Sequence, residues 1–260
     1  MTRLISGVVL AAVAVALIWF LTPIALLGVA LIVAALAFHE YDRIVDRIGA
    51  KVPYLTTLLA TLLVCAMVSF QRVDLESVLA AALLLIALNV LASPRVGAAV
   101  LADSAAAMLA PVYIGVPMGC LVAIHAMVGR EGVLLLIATV VVSDSAQYYT
   151  GRTLGRTPLA PLRSPKKTRE GALGGFVIAP IFLAVAGAYF MPDFPWYWHA
   201  SVGLGIVVAG ISGDLFESML KRAADMKDSG ALIPGHGGVL DRIDALLFAA
   251  PVFYFFLRSV

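Results

Sequence analysis

Residues 218–244 carry the densest set of side chains in this chain that could bind charged ligands. The segment reads SMLKRAADMKDSGALIPGHGGVLDRID and holds eight charged residues between two strongly apolar segments. Its basic side chains suit an anionic ligand, and its carboxylates, with Asp214 just upstream, suit a cation. Charge of this density beside a membrane span is costly unless it has a function. The two sets together indicate a phosphorylated substrate that is bound through a metal ion.

The end of the predicted eighth helix contributes a polar face to this segment. Asp214, Ser218 and either Lys221 or Arg222 stand at helical spacing and therefore share one side of the helix. Asp214 would lie at or just inside the membrane boundary, where a carboxylate needs a partner, and a divalent cation is a suitable one. An ordinary ion pair at the helix end explains Asp214 alone equally well.

The run Pro234-Gly235-His236-Gly237-Gly238 predicts a tight turn with little side-chain bulk. Glycines let backbone N–H groups approach a phosphate closely, and the turn leads into the predicted ninth helix, whose N-terminus favours anions. Asp241 and Asp244 share a face of its first turn, although plain helix capping explains Asp244 by itself. No second His or Cys stands at zinc spacing from His236, so the hard oxygen ligands indicate Mg²⁺.

A second polar region begins at Asp144, which closely follows an apolar run and is a functional candidate because ionisable groups in spans are rare. Further on, Ser164 and Pro165 predict a helix start, with the serine as cap and the proline in the first turn. Lys166 and Lys167 would then crowd that helix N-terminus, which is unfavourable unless an anion binds there. Alternatively, this basic loop only sets topology or contacts anionic lipid. Nucleic-acid binding is discounted beside a membrane span.

The composition predicts an all-α, polytopic integral membrane protein. The chain is 62% hydrophobic and 13% charged, whereas soluble domains have about 25% charged residues. We expect one membrane domain over 1–260, with N-terminal spans over 1–130 and a catalytic half over 131–260. The first apolar run is too long for a signal-peptide core and is interpreted as a transmembrane helix. Apolar runs of spanning length predict about nine helices, at 4–21, 24–38, 52–70, 75–93, 104–127, 132–149, 172–191, 198–215 and 243–258.

Nine spans would place the two long polar loops, 150–171 and 216–242, on the same side as the N-terminus, where they could form one site. That side would hold 15 Lys and Arg residues against three on the other, so the positive-inside rule makes it cytoplasmic. Ten of the 15 lie in these two loops. The predicted orientation therefore depends mainly on residues that are also proposed to bind substrate.

The segment 218–244 resembles the sequence pattern of phosphatidate cytidylyltransferases, also called CDP-diacylglycerol synthases. The elements around Ser143-Asp144 and 164–175 resemble that family's other cytoplasmic loop, so that the likeness covers most of the chain from Ser143 onward. The chain departs from the pattern at Ser145-Ala146-Gln147, where the family has Thr or Ser followed by Gly-Ala, and at Arg169, where an aromatic or apolar residue is more common. The matching positions in 218–244 are Ser218, Lys221-Arg222, Lys227-Asp228, Pro234, His236-Gly237-Gly238 and Asp241-Arg242-Ile243-Asp244.

The resemblance implies transfer of CMP from CTP to phosphatidate, which yields CDP-diacylglycerol and pyrophosphate. It implies that Mg²⁺, and optionally a second cation, is bound by Asp214 and Asp241 as the principal ligands. Asp144 and Asp244 would be further ligands. It also implies a homodimer in the inner (cytoplasmic) membrane, with no nucleic-acid partner. The implied catalytic residues are Asp214, Asp241, Lys221, Arg222 and His236, and the implied substrate-binding residues are Asp144, Ser164, Lys166, Lys167, Ser218, Lys227, Asp228, Gly237, Gly238 and Arg242.

Two other functions fit parts of this pattern. A CTP-using lipid kinase would transfer the γ-phosphate and release CDP instead of pyrophosphate. A transporter could use Asp144 as a midplane ion site, but transporters usually show repeats and broken helices in matching halves. Here the polar motifs are concentrated in the C-terminal half, which weighs against transport.

Overall fold

The computed structural model describes residues 2–71, 74–92, 95–161, 164–232 and 237–259. Nearly all secondary structure in these ranges is helical, and one short hairpin interrupts it. A π-helical turn at Pro111–Gly115 joins α5 to α6. The elements are α1 (Thr2–Phe20), α2 (Pro23–Ile48), α3 (Tyr54–Phe70), α4 (Leu75–Leu91), α5 (Ala98–Ala110), α6 (Val116–Leu154), β1 (Pro158–Ala160), β2 (Ser164–Thr168), α7 (Arg169–Phe190), α8 (Trp196–Ala223) and α9 (Leu240–Arg258).

Within the described ranges, four helical stretches have the length and the apolar composition that a bilayer crossing requires: Pro23–Ile48, Ala98–Leu154, Arg169–Phe190 and Trp196–Ala223. Helices α3 and α4 are also apolar but shorter. The prediction of an all-α membrane protein is confirmed at this level, whereas the number of crossings stays a prediction.

Three helices differ in extent from the apolar runs that predicted them. Helix α2 continues to Ile48 rather than ending at residue 38, and Gly49 ends it with a left-handed φ of 95°. Helix α8 continues to Ala223 rather than ending at residue 215. The range of α6 includes the predicted break between the fifth and sixth helices, and that break is present at Gly129, whose φ of 76° is not helical. Apolar runs mark only the apolar part of a helix, and they miss its polar extension.

The chain divides into two compact units, of which the first comprises Met1–Ala123 and Leu220–Ile243. In this unit, Gly115 at the end of the π-helical turn and Gly119 in α6 allow the chain to pack directly on the backbone of α3. A Cβ at these positions would lie 2.6 Å from the carbonyl oxygen of Thr61 and 2.7 Å from that of Cys65. Small residues four apart are a common device for close helix contact in membranes.

Helix α2 is fixed within the first unit by Tyr41. Its side chain is fully buried, and its hydroxyl donates a 2.7 Å hydrogen bond to the carbonyl of Ala106 on α5. Just beyond α2, the backbone N–H of Lys51 donates to the carboxylate of Asp103 at 2.7 Å, and Arg95 Nη1 contacts both oxygens of the same carboxylate. These contacts hold the C-terminal half of α2 in place.

The second unit comprises Ile124–Met219 and Asp244–Val260. Helices α7 and α8 cross closely in it, because a Cβ on Gly203 would lie only 2.7 Å from the Cα of Pro180. The interior of this contact is a small apolar cluster, so that the two helices form a rigid support for the polar residues at their ends. The cluster consists of Ala172, Ala179, Val207 and Ile211, with Leu159, Phe176 and Leu215 packed against it.

Residues 158–168 form an antiparallel hairpin in which Ala160 pairs with Ser164 and Pro158 with Thr168. The prediction that Ser164 caps a helix is therefore wrong. The cap is Thr168, whose side chain accepts the N–H of Gly171, and α7 begins at Arg169. Pairing with β1 gives the backbone of Ser164–Thr168 its hydrogen-bond partners, and the capping signals at Ser164 and Pro165 do not reveal this pairing.

Candidate functional site

A pocket of about 400 Å³ lies in the second unit between the end of α6, strand β2 and α8. We call it the α6–β2 pocket. Its volume lies within the usual range for small-molecule sites. Four residues that the sequence singled out meet there, namely Asp144, Lys166, Lys167 and Asp214. The lining residues are Asp144, Gln147, Tyr148, Gly151, Arg152, Lys166, Lys167, Thr168, Gly171, Ala172 and Asp214.

An ion pair joins the strand side of this pocket to α8. Lys167 Nζ lies 2.5 Å from Asp214 Oδ2, and the two side chains are 22% and 37% exposed. The hydroxyl of Ser218, one turn along α8, donates to Asp214 Oδ1 at 3.3 Å. Asp214, Ser218 and Lys167 thus form one connected group, as the helical spacing predicted for the first two. The lysine is partly accessible and can exchange this partner for a ligand anion.

Asp144 stands on α6 on the other side of the pocket and is exposed. Gln147 Nε2 lies 3.4 Å from Asp144 Oδ1 and 3.0 Å from the hydroxyl oxygen of Ser143. Arg152, two turns further on, donates to the hydroxyl of Tyr148 at 3.3 Å. Two carboxylates and three cationic side chains therefore line one cavity, an arrangement that suits a phosphate ester accompanied by a cation.

Glycines bring α7 close enough to α6 to close the base of this pocket. A Cβ on Gly171 would lie 2.7 Å from the carbonyl oxygen of Gln147, and one on Gly174 would lie 2.3 Å from Thr150 Oγ1. The carboxylate of Glu170 holds the connection from α6 to β1 by accepting the backbone N–H groups of Arg156 and Thr157. Together these contacts fix β2, and with it both lysines.

A second polar group lies in the first unit around Asp241, in the first turn of α9. We call it the Asp241 cluster. Lys221 Nζ lies 2.5 Å from Asp241 Oδ1, and the side chains are only 12% and 7% exposed. Asp241 Oδ2 accepts three further hydrogen bonds, from the N–H and the hydroxyl of Ser229 at 2.8 and 2.9 Å and from the N–H of Gly238 at 2.8 Å.

Burial alone would disfavour the charged form of Asp241. The hydrogen bond from Lys221, the N–H of Gly238, the positive charge of Lys221 and the N–H of Ser229 outweigh it and hold the pKa of Asp241 below its ordinary value. Asp241 is therefore ionised at neutral pH, and Lys221 is held as its oriented counter-ion.

The glycine pair next to Asp241 has a conformational and a steric role. Gly237 has φ 82°, and a Cβ there would lie 2.6 Å from Asp241 Oδ2. The N–H of Gly238, predicted to bind phosphate, donates to Asp241 instead. A phosphate would have to displace that bond, so substrate binding by Gly237 and Gly238 stays a prediction.

Among the described residues, the remaining predicted site residues make none of the site contacts given above, and some of them make other hydrogen bonds. Arg222, Lys227, Asp228 and Arg242 are exposed, and Arg222 donates to the carbonyl of Met226 at 3.4 Å. Asp244 is half-buried, and its carboxylate accepts the N–H of Ala245. Ser164 is half-buried at the start of β2. Pro234, Gly235 and His236 lie outside the described residues.

Three side chains that the structure brings to these groups were not among the predicted site residues. Gln147 and Arg152 line the α6–β2 pocket, and their positions one and two turns after Asp144 on α6 were the available signal. The third is Glu40, a buried acid on α2 that contacts residues next to Asp241. A carboxylate two residues after an apolar run was its signal, but the predicted second helix ended at residue 38.

The carboxylates differ in their fitness to bind a metal ion. Among the described residues, no group of three or more His, Cys, Asp or Glu side chains is placed to hold one. Mg²⁺ usually takes only one or two carboxylates and completes its shell with water and substrate phosphates. Asp144 and Asp214 fit that requirement because they line one pocket. Asp241 fits less well, since N–H, O–H and ammonium donors contact both of its oxygens.

Comparison with known proteins gives a match along the whole chain. The sequence model of the cytidylyltransferase family matches residues 1–260. Among curated relatives, the phosphatidate cytidylyltransferase of Bacillus subtilis is 40% identical over 151 residues, which is 57% of this chain and 56% of that protein. The phosphatidate cytidylyltransferase of Synechocystis sp. is 46% identical over 127 residues, or 48% and 42% of the two chains.

A further relative carries no assigned activity. The uncharacterized protein YnbB of Escherichia coli is 44% identical over 126 residues, which is 48% of this chain and 42% of that protein. The chain spans about half the length of the curated relatives that it matches.

Proposed function

The chain belongs to the cytidylyltransferase family, and we propose that it transfers CMP from CTP to phosphatidate, forming CDP-diacylglycerol and pyrophosphate. The relatives named phosphatidate cytidylyltransferase support this substrate pair. The observation that carries the proposal is the α6–β2 pocket, in which Lys166, Lys167 and Arg152 face a cavity shared with Asp144 and Asp214. A triphosphate and a lipid phosphate both need such neutralising charge.

In the proposed reaction, a phosphate oxygen of phosphatidate attacks the α-phosphorus of CTP. The bond from that phosphorus to the oxygen bridging the β-phosphorus breaks, and pyrophosphate leaves with the electron pair. A phosphate monoester is already a nucleophile at neutral pH, so no strong general base is required. The task of the protein is to bring two anions together and to offset the charge on the leaving group.

We propose that Lys166, Lys167 and Arg152 bind the phosphates of CTP or of the lipid. Lys167 would leave Asp214 in part when the nucleotide enters, and Asp214 would then be available to a cation. Ser218 would keep the Asp214 carboxylate in its orientation through the existing hydrogen bond. The donor set of Asp144 and Asp214 supports Mg²⁺, which when bound would offset phosphate charge as a Lewis acid.

The Asp241 cluster would supply a second set of charges. We propose that Asp241 holds the ammonium of Lys221 towards the substrate phosphates, while Arg222 and Arg242 offer exposed guanidinium groups. Direct metal binding by Asp241, as the resemblance implies, would require Lys221 to move away. Asp244 as a further ligand and His236, Lys227 and Asp228 as substrate contacts remain part of the proposal on sequence grounds: they match the family pattern.

We also propose a multi-pass location in the inner (cytoplasmic) membrane, with about nine crossings, a homodimeric state and the site facing the cytoplasm. The lysine and arginine distribution supports this orientation. The acyl chains of phosphatidate would then stay in the bilayer while the head group reaches the polar loops.

The test uses the purified full-length chain in mixed micelles of detergent and phosphatidate, supplied with Mg²⁺ and CTP. Formation of CDP-diacylglycerol and pyrophosphate in equal amounts is expected. Release of CDP without pyrophosphate would indicate a lipid kinase instead. If no product formed from CTP, the transporter would be the remaining alternative. Unchanged activity in Asp214→Asn and Asp241→Asn would contradict the proposed site.

A lysine variant tests the pocket itself. Lys167→Met should lower kcat/KM about 10- to 100-fold, because a hydrogen bond to a charged phosphate contributes roughly 1.5–3 kcal/mol. Lys51→Met is the matched control, since Lys51 is an exposed partner of Asp46 outside the pocket. Equal activities in the two variants would remove Lys167 from the site.

A further inference from the structure

Glu40 on α2 is a buried acid that the function described so far does not use. Its residue is 4% exposed, and its carboxylate accepts three hydrogen bonds. Oε1 accepts the N–H of Val239 at 2.9 Å, and Oε2 accepts the N–H of Leu240 at 2.8 Å and the hydroxyl of Ser229 at 2.9 Å. The donors come from two chain segments, 229–230 and 238–240, which flank the turn before α9.

Glycines make room for this carboxylate in both segments. A Cβ on Gly230 would lie 2.6 Å from Glu40 Oε1, and a Cβ on Gly238 would lie 2.3 Å from Glu40 Oε2. Contacts this short exclude any larger residue without movement of the backbone or of Glu40. The carboxylate is thus enclosed by the two segments, and it supplies negative charge where α9 begins, which stabilises a helix N-terminus.

Glu40 and Asp241 share one hydrogen-bond donor, the hydroxyl of Ser229, and some of their other donors are neighbours in the sequence. Ser229 Oγ lies 2.9 Å from both Glu40 Oε2 and Asp241 Oδ2. One hydroxyl has one proton and donates to one carboxylate at a time, so the serine links the two acids. Gly238, whose N–H donates to Asp241, directly precedes Val239, whose N–H donates to Glu40. Movement at Glu40 would therefore reach Asp241 without any direct contact.

We propose that Glu40 is a positioning residue for the CMP transfer: it joins segments 229–230 and 238–240 so that Asp241 keeps Lys221 oriented towards the substrate phosphates. This inference rests on the proposed function. Glu40 itself touches no substrate in this scheme, because it is enclosed by the two segments. Its loss should therefore slow the chemical step more than it weakens substrate binding.

The primary variant is Glu40→Gln, which keeps the size of the side chain. The amide has one oxygen, so that its NH2 group must face the N–H of Val239 or else the donors at Ser229 and Leu240. We expect kcat to fall about 10- to 100-fold, since small displacements of catalytic groups have effects of that size, with little change in KM for CTP.

Glu76→Gln makes the same chemical change at an exposed position in the first turn of α4 and should retain wild-type kinetics. A kcat equal to that of this control would overturn the proposal, and so would a raised KM at unchanged kcat.

Amide hydrogen exchange provides a readout that does not depend on turnover. Peptides covering residues 237–243 should exchange faster in Glu40→Gln than in the wild type, whereas peptides from α7 should not change. Equal exchange in 237–243 would overturn the positioning role whatever the activity. If the wild type makes no product from CTP, the proposed function fails, and the exchange experiment still decides whether Glu40 holds these segments.

Ser229→Ala gives a milder variant should Glu40→Gln not accumulate as folded protein. It removes one hydroxyl that serves both acids, so kcat should fall by a smaller factor and exchange in 237–243 should rise. In the double variant, the loss in kcat should be smaller than the product of the two single losses, because both changes disrupt the same network. Independent, multiplicative losses would count against the link through Ser229.

Discussion

The ion pair between Lys221 and Asp241 allows a quantitative test of the Asp241 cluster. The perturbations are Lys221→Met, Asp241→Asn and the double variant. After Lys221→Met, three donors still lie within reach of Asp241: the N–H groups of Ser229 and Gly238, and the Ser229 hydroxyl, which it shares with Glu40. After Asp241→Asn, the amide oxygen is best placed where these three donors converge. That orientation turns the amide NH2 towards Lys221, which lay 2.5 Å from the replaced oxygen.

The expected magnitude follows from the burial of the pair. Removing one partner of a buried ion pair costs about 3–5 kcal/mol, because the other charge is left in a poorly solvating site. We place Lys221→Met near 3 kcal/mol, at the lower end of that range, because three donors remain. Asp241→Asn should cost about as much or more, since it turns a donor towards an ammonium. In the double variant the repulsion between the amide and the ammonium is absent, and so is the lost Lys221–Asp241 ion pair as a separate cost, so the coupling energy should be about 2 kcal/mol.

The assay is thermal unfolding in detergent, followed by far-UV circular dichroism at one fixed scan rate because membrane proteins often unfold irreversibly. For a chain of this size each single variant should lower Tm by roughly 6–12 °C. The double variant should lose clearly less than the sum. Lys51→Met, Asp46→Asn and their double variant form the control, because that pair is 57% and 55% exposed and should contribute at most about 1 kcal/mol. Additive losses at 221 and 241, or losses no larger than those of the control, would refute the argument.

Two further predictions concern the same residues. The folded-state pKa of Asp241 is below its unfolded value, so its contribution to stability is complete above the unfolded pKa, about 4, and is lost as pH falls through the folded pKa. The wild-type Tm should therefore drop more steeply than that of Asp241→Asn on acidification below that value, and parallel curves would show that the carboxylate does not contribute in this way. Gly237→Ala should cost about 1–3 kcal/mol in unfolding experiments, because alanine disfavours φ 82° and its Cβ would contact Asp241. Gly28→Ala, at a helical site with open space around the Cβ, should be neutral or slightly stabilising, and equal effects at the two glycines would contradict the steric reasoning.

The sequence predicted the chemical character of the protein well. The prediction of a helical membrane protein is confirmed in its coarse form, since apolar runs reflect the demand that a bilayer makes on every spanning segment. The resemblance carried by residues 218–244 is confirmed by the family match over 1–260. That segment was recognisable because its charged residues and glycines stand at close, fixed spacing in the sequence.

Prediction failed where a residue's role depends on contacts with another segment of the chain. The local signal at Ser164-Pro165 favoured a helix start, but pairing with Pro158–Ala160 made the segment a strand. The predicted second helix ended at residue 38 and so left out Glu40, which lies on α2. Helical spacing placed Lys221 or Arg222 beside Asp214, whereas the structure pairs Lys221 with Asp241.

The sequence by itself therefore determined the apolar character of the chain, its family and the set of charged groups that the proposed substrates would meet. Those properties depend on composition and on short spacings, which are local. Only the tertiary structure decided that Lys167 neutralises Asp214, that Asp241 is enclosed by Lys221, Ser229 and Gly238, and that Glu40 holds the same segments from α2. Buried charges must find partners wherever the fold provides them, and no local pattern records which partner that is.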